Sequence, residues 1–282
     1  MRAFHFNSEK FIFNLKLVGP ENFLIFTSNS LCMETILITG ASSGIGKATA
    51  QALDHKSRRF ILCGRREDRL KELAKSLKAD ATILAFDIRK QEEVNQAFFS
   101  IQDQLSEVTL LVNNAGGAHG LEALVDASME DVETMIDSNL KGLLYVSKRI
   151  IPFLINNKKG HIINISSIAG KETYARGMVY CASKSAVESI SKGMRLELNP
   201  HGVRVTNIAP GAVETEFSMV RFKGNQEKAD QVYKGFKALT AEDIAETIRF
   251  AYESPAHVQI ADLLVLPTAQ ASATQISRKH ES

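Results

Sequence analysis

The 282-residue chain has no tryptophan, and only three cysteines and six prolines. The cysteines, Cys32, Cys63 and Cys181, are odd in number and never fall in a Cys-x-x-Cys spacing. That argues against a disulfide framework or a zinc site and suits the reducing cytosol, so a cytoplasmic protein without a bound metal is expected. Long apolar runs are missing as well. Nowhere do the roughly eighteen consecutive apolar residues of a membrane-spanning helix occur, so no membrane partner is expected. Nor does one charge dominate: thirty-four Lys and Arg against thirty-two Asp and Glu leave a net +2. This removes the electrostatic case for nucleic acid as the main ligand. What is present is an average globular composition, 44% hydrophobic and 23% charged, which excludes collagen-like and disordered chains and leaves a small-molecule substrate as the better expectation.

Residues 1–32 are rich in Phe and Asn, but Asn14, Lys16, Gly19, Pro20, Glu21 and Asn22 break up every apolar run. A signal peptide needs an unbroken apolar centre and a small-residue cleavage site, and neither is there. Because Met33 stands just before the first clear strand, this N-terminal extension reads as upstream sequence outside the native protein. A docked extension and a targeting segment are the alternatives.

From Met33 onward seven short apolar runs recur: Thr35 to Thr39, Phe60 to Cys63, Thr82 to Phe86, Leu110 to Val112, Ile162 to Ile165, Val203 to Ile208 and Leu263 to Leu266. Runs apolar on both faces are strands covered from both sides, as in a parallel sheet. Segments between them, Gly44 to His55, Arg66 to Lys78, Gln91 to Leu105 and Met178 to Leu198, carry apolar residues at three- and four-residue spacing and are expected to be helices. The rhythm predicts an α/β fold, a Rossmann-type doubly wound sheet of seven parallel strands with helices on both faces. With no linker-like stretch or repeat, residues 33–282 read as one domain. Its ligands should gather at the carboxyl edge of the strands.

The first strand runs into Thr39-Gly40-Ala41-Ser42-Ser43-Gly44-Ile45-Gly46 and directly into a helix. Glycines there allow a tight turn and let the unpaired N–H groups of the helix start meet a pyrophosphate. A nucleoside-triphosphate loop is excluded: the register that would put Gly46-Lys47 in place has Ala41 for the first glycine and Ala48 for the hydroxyl residue. The second strand ends in Gly64-Arg65-Arg66, where dinucleotide folds that bind NAD carry an acidic residue. An arginine there accommodates a 2′-phosphate, so the expected cofactor is NADP.

The fifth strand ends in Asn164-Ile165-Ser166-Ser167, and Tyr180 and Lys184 follow four residues apart. On a helix that spacing puts phenol and ammonium on one face, where the cation would lower the phenol pKa and fit Tyr180 to act as general acid and base. Ser167 would donate a hydrogen bond to a carbonyl oxygen as charge develops on it.

Taken together, TGASSGIG at 39–46, Asn113-Asn114-Ala115-Gly116, Asn139, Ser167, Tyr180-Cys181-Ala182-Ser183-Lys184 and Pro210-Gly211 resemble the short-chain dehydrogenase/reductase family over residues 35 to about 270. The resemblance implies an oxidoreductase with catalytic residues Asn139, Ser167, Tyr180 and Lys184, in which Asn139 holds a water of the proton relay and Lys184 also binds the nicotinamide ribose. It further implies cofactor contacts at Gly40, Ser42, Ser43, Gly44, Ile45, Gly46, Arg65 and Arg66. Asp87 and Ile88 would border the adenine, Asn114 would lie at the ribose, and Pro210, Gly211, Val213 and Thr215 would hold the nicotinamide end. A homotetramer built through the helix of Tyr180 is the family expectation.

Whole segments, GRREDRLKEL at 64–73, ETMIDSNLKGLLYVSK at 133–148, EFSMVRFKGNQEKAD at 216–230 and PAHVQI at 255–260, are similar to the narrower group of NADP-dependent 3-hydroxy acid dehydrogenases. That group takes serine, allo-threonine or 3-hydroxypropionate-type substrates. An acid substrate needs a cation in its pocket, and Arg221 is the first candidate, beside Lys223 and Arg176. His119 near the pocket mouth is expected to be structural or solvated, and Cys63 and Cys181 to pack in the core. Two other readings stay open: a reductase of neutral ketones, aldehydes or lipid carbonyls, and a non-catalytic NADP(H)-sensing protein.

Overall fold

Side chains rich in Ile, Leu and Val mark the seven apolar runs as strands, and the five central ones are buried on both faces, which calls for apolar groups at most positions. The computed structural model describes residues 33–157 and 160–279, together with the backbone of a separate antiparallel hairpin, Phe13–Leu17 against Leu24–Ser28. The chain divides into Met1–Met33 and Glu34–Ser282. The rest of the segment 1–32, and with it the expectation for the N-terminal extension and Cys32, lies outside the described residues.

The strands are β1 (Glu34–Thr39), β2 (Arg58–Gly64), β3 (Asp80–Ala85), β4 (Val108–Asn113), β5 (His161–Ile165), β6 (Arg204–Pro210) and β7 (Asp262–Val265). All pair in parallel, in the order β3-β2-β1-β4-β5-β6-β7. The direction of winding therefore reverses between β1 and β4, and the crevice at that reversal is where the carboxyl ends of the strands leave room for a ligand.

The helices are α1 (Gly44–Ala52), α2 (Glu67–Ser76), α3 (Gln91–Phe99), α4 (Gln102–Leu105), α5 (Met129–Ile136), α6 (Leu143–Asn157), α7 (Ile168–Lys171), α8 (Met178–Leu198), α9 (Phe217–Arg221), α10 (Gln226–Tyr233) and α11 (Ala241–Glu253). Two apolar layers flank the sheet. On one face Leu37, Ile61, Leu111 and Ile162 pack with Val94 and Phe98 of α3, Val146 and Ile150 of α6, and Val187 and Met194 of α8. On the other Ile36, Ile38, Phe60 and Ile163 pack with Ala50 of α1, Leu70 and Leu73 of α2, and Ile244 and Ile248 of α11. Each fully buried aliphatic side chain contributes roughly 1.5–3 kcal/mol, which is why both faces of every central strand are apolar.

The helix expected over Gln91 to Leu105 is two helices. Ser100 donates its hydroxyl to Ala97 O, and Ile101 leaves helical geometry at φ −126° to bury its side chain in the α3/α6/α8 layer. The first helix stops at Ala52, short of His55, because the Asp54 carboxylate turns away to accept the N–H groups of Lys78 and Ala79. The second begins after Arg66, whose side chain is used elsewhere, and the last strand lies one residue earlier than expected. The helix over Met178–Leu198 has its expected bounds. A π-turn over Asp137–Gly142, joining α5 to α6, was not expected from the residue pattern.

Among the described residues no helix is long and apolar enough to cross a membrane. Cys63 and Cys181 are buried and free, as packing residues.

His161 opens β5 with 1% exposure, its Nε2 2.8 Å from Thr206 Oγ1 and its Nδ1 without a partner. Burial, reinforced by Arg204, pushes its pKa down to about 3. A folded-state pKa below the unfolded value of about 6.5 gives stability that is present above that value and is lost as pH falls. Unfolding free energy should therefore decline below pH 6.5 with a contribution from this residue of about 1.4 kcal/mol per pH unit. In His161→Gln, urea unfolding at stepped pH from about 7 to 4.5 should show a shallower decline than in the parent. Parallel curves would mean that His161 charges in place.

Candidate active site

The glycine loop after β1 and the strand ends of β4, β5 and β6 surround a cavity of about 750 Å³. Of the catalytic, cofactor and substrate candidates singled out from the sequence, all but Gly46, Asn139 and Lys223 line it, and Lys223 is held outside by Asp131. Gly46 and Asn139 act from behind.

At one end the backbone turns sharply. Gly44 has φ +50°, a conformation that side chains disfavour, and a methyl group at Gly46 would lie 2.4 Å from Gly40 O. The start of α1 therefore packs against the loop with no room for a side chain. Thr39 Oγ1 accepts the N–H groups of Asn114 and Ala115 at 3.0 Å each, and Asn114 Nδ2 donates to Thr39 O at 2.9 Å and Gly40 O at 3.2 Å. The loop is thus tied to the end of β4. Ser43 caps α1 without a side-chain bond, so the first-turn N–H groups are left for a ligand.

Beside this loop, Arg66 donates through Nη2 to Ser43 Oγ at 2.6 Å and through Nη1 to Glu216 at 2.8 Å, while Arg65 stands exposed at the rim. Asp87 is paired with Arg89 at 2.6 Å, which holds its carboxyl below the usual range against the opposing effect of burial. Ile88 packs under Gly142 of the π-turn, and Thr215 lies across from Gly44.

At the other end α8 presents Tyr180 and Lys184 one turn apart, both buried. Lys184 donates from Nζ to Ile165 O at 2.9 Å, and burial lowers its pKa to about 8. Burial pushes the Tyr180 phenol well above its ordinary value, and Ser167 and Arg221 pull it back. Ser167 also accepts the N–H of Ala169 as the cap of α7 at 3.1 Å, and its hydroxyl reaches Pro210 O at 3.5 Å.

The Asn139 side-chain amide accepts Gly117 N–H at 2.8 Å and donates to Gly117 O and Ser183 Oγ at 2.9 Å each, which clamps the chain after β4 to α8.

Arg221, at the end of α9, reaches over the same phenol, with its guanidinium carbon 5.8 Å from the ring centres of Tyr180 and Tyr174. Nε donates to Gly120 O at 3.1 Å and Nη1 to Tyr174 Oη at 3.3 Å, whereas Nη2 is buried without a partner. Gly120 N–H in turn donates to Arg221 O at 2.9 Å. The other two cations are set differently: Lys223 is paired with Asp131 at 2.8 Å, and Arg176 is exposed on the rim. His119 lies half-buried in the wall, its pKa lowered by burial.

Sequence reasoning missed Tyr174, Phe217 and Gln270. Phe217 stacks on Tyr180 with ring centres 5.7 Å apart, and Gln270 accepts Ala212 N–H at 2.8 Å, fixing the turn after β6. No local pattern marks Gln270, because its partner lies 58 residues away.

Comparison with known proteins agrees with this geometry. The short chain dehydrogenase family matches residues 34–226. The chain is 40% identical over 251 residues to the NADP-dependent 3-hydroxy acid dehydrogenase of Schizosaccharomyces pombe, covering 87% of this chain and 97% of that protein. It is 42% identical to the serine 3-dehydrogenase of Rhizobium radiobacter over 85% of this chain and 96% of that one. Among solved structures, the closed form of a serine dehydrogenase complexed with NADP+ superposes with a TM-score of 0.82 at 40% identity, covering 88% of this chain and all of the other.

Removing the Asn139 amide in Asn139→Ala leaves the half-buried Gly117 N–H and C=O without their partner and takes a donor from Ser183 Oγ, which keeps its own bond to Tyr180 O. A loss of about 3 kcal/mol in urea unfolding is expected. A loss under about 1 kcal/mol would mean that these groups find other partners.

Proposed function

The chain belongs to the short-chain dehydrogenase family, and from that premise we propose that it is an NADP-dependent oxidoreductase acting on a small 3-hydroxy acid, of the serine, allo-threonine or 3-hydroxypropionate type, or on its 3-oxo partner. The observation that carries the substrate class is Arg221. A half-buried guanidinium over the Tyr180 ring, with its buried Nη2 lacking any partner among the described residues, is matched by a substrate carboxylate, which would satisfy it with a charge-assisted hydrogen bond.

The residues at the other end of the cavity fit the cofactor. Unspent N–H groups at the start of α1 suit a pyrophosphate, and the Arg65-Arg66 pair beside Ser42 and Ser43 suits a 2′-phosphate. Gly40, Ile45 and Asn114 shape the floor beneath it, and Pro210, Gly211, Val213 and Thr215 form the wall toward Tyr180. When bound, the cofactor supplies or accepts the hydride.

Tyr180 exchanges the proton of the substrate hydroxyl at its Oη, and Ser167 donates to the same substrate oxygen as charge builds on it. Since burial raises the phenol pKa, the neutral tyrosine is the resting form and suits donation in the reducing direction. Arg221 both receives the carboxylate and stabilises phenolate when the proton has left. Lys184, held on Ile165 O, keeps its ammonium at the ribose side of the cavity, and Asn139 positions the chain opposite it.

A cytoplasmic setting is part of the same reading, supported by the two buried free thiols. So is a homotetramer through α8, supported by the exposed apolar Met178 and Leu196 on that helix.

Absorbance of reduced nicotinamide, followed with NADP+ or NAD+ and with L-serine, L-allo-threonine, 3-hydroxypropionate and a neutral secondary alcohol, tests the reading. Acids should turn over with NADP+; turnover of the neutral alcohol alone would overturn the substrate class. Tyr180→Phe should abolish turnover and keep cofactor affinity, whereas a sensing protein would change in neither. Arg221→Ala should raise KM for acids by about a hundredfold, the equivalent of one lost charge-assisted bond, and spare the KM of a neutral substrate, while kcat falls for both. Equal effects on both KM values would remove Arg221 from substrate recognition.

A further inference from the structure

Glu216, the residue just before α9, sends its carboxylate to the start of α2, where it bridges Arg66 Nη1 at 2.8 Å and Arg69 Nη1 at 2.5 Å. Arg66 and Arg69 are three residues apart and so share one face of α2. Neither the glycine loop nor the Tyr180 region uses this carboxylate. The Arg66 fork is divided between two sets of acceptors: Nε and Nη2 go to the hydroxyls of Ser42 and Ser43, and Nη1 goes to Glu216. Arg69 has only Glu216 among its described hydrogen-bond partners. All three side chains keep about two-fifths of their surface in water, at 39% to 45% exposure, so the pairs are cheap to exchange.

We propose that Glu216 is the resident counter-ion of the site for the cofactor's 2′-phosphate, exchanging with that phosphate at Arg66 and Arg69, and that Arg69 is a member of the site. This rests on the reading of the cavity as an NADP site. A carboxylate and a phosphate compete for the same guanidinium forks, and the phosphate carries the larger charge and more acceptor oxygens. A cofactor with a plain 2′-hydroxyl has nothing to offer these forks that would displace Glu216. Glu216 therefore tempers the preference for the phosphorylated cofactor, while keeping two neighbouring cations compensated when no phosphate is there. It also links that end of the cavity to α9, the helix that carries Arg221.

Isothermal calorimetry with NADP+, NAD+, 2′-AMP and 5′-AMP tests this without turnover. Glu216→Gln removes the competing charge and keeps the shape. It should bind NADP+ and 2′-AMP about fivefold tighter and leave NAD+ and 5′-AMP unchanged. Arg69→Ala should weaken NADP+ and 2′-AMP by about fivefold and spare the other two. Unchanged or weaker NADP+ binding in Glu216→Gln overturns the proposal, since Glu216 would then only orient the arginines. Arg66→Ala separates the two levels. If it weakens NADP+ selectively while Glu216→Gln does not tighten it, the counter-ion role alone fails. If it weakens NADP+ and NAD+ alike, the 2′-phosphate site itself is misassigned and the proposal falls with it. Glu216 is half-exposed and outside both apolar layers, so both of its outcomes are read on folded protein, checked by an unchanged melting temperature.

Discussion

Everything at the site depends on how α8 is held to the end of β5. Two apolar surfaces alone would let a helix slide or rotate on a sheet, because dispersion and hydrophobic burial have little direction. Here directional bonds fix the register. Lys184 Nζ reaches back to Ile165 O, Ser166 Oγ donates to Lys184 O, Ser185 Oγ donates to Gly170 O, and Asn164 Nδ2 donates to Ser191 Oγ. Asn113 extends the same chain to β4 and α6 through Asn164 and Ser147. Polar groups buried in such a layer are costly when left single and specifying when paired, so this network sets the position of Tyr180 against Ser167 more tightly than packing does.

The electrostatics of the pocket follow from burial more than from any one partner. Dehydration pushes both members of the Tyr180 and Lys184 pair toward their neutral forms, the phenol upward and the ammonium down to about 8. Against that background the Arg221 guanidinium brings a positive charge over the Tyr180 ring. Its Nε and Nη1 are occupied by Gly120 O and Tyr174 Oη, and Nη2 is left buried without a partner among the described residues. An anion is the complementary group, and this makes a carboxylate-bearing substrate the natural reading of the pocket.

Much of this was legible in the chain. The strands announced themselves by apolar runs, the glycine turn by its spacing, and the Tyr180 and Lys184 pair by four-residue helical spacing, because each is local. Arg221 could be nominated only through the resemblance to 3-hydroxy acid dehydrogenases, since the acid substrate which that resemblance implies calls for a cation. What could not be read depends on groups distant in sequence or on competition between local forces. The break at Ile101 arises because burying one side chain outweighs continuing a helix. Gln270 and Glu216 serve loops 58 and 150 residues away. Side-by-side placement on a helix does not decide which carbonyl a flexible ammonium reaches. Lys184 points to Ile165 O.

The two apolar layers make the molecule modular. The glycine loop and Arg66 stand on α1 and α2, which bury Ala50, Leu70 and Leu73 in one layer, whereas Lys184 and the π-turn of Asn139 stand on α8 and α6, which bury Val187, Met194, Val146 and Ile150 in the other, and Tyr180 packs in a small third cluster with Ala118, Met135, Ala169 and Cys181. Ile36 and Leu37 are adjacent in the chain and yet enter different cores. Repacking one layer is therefore close to additive with repacking the other, since substitutions that share no partners couple weakly. Cofactor recognition and proton transfer are in this sense separately heritable traits of one sheet, free to drift at different rates under selection.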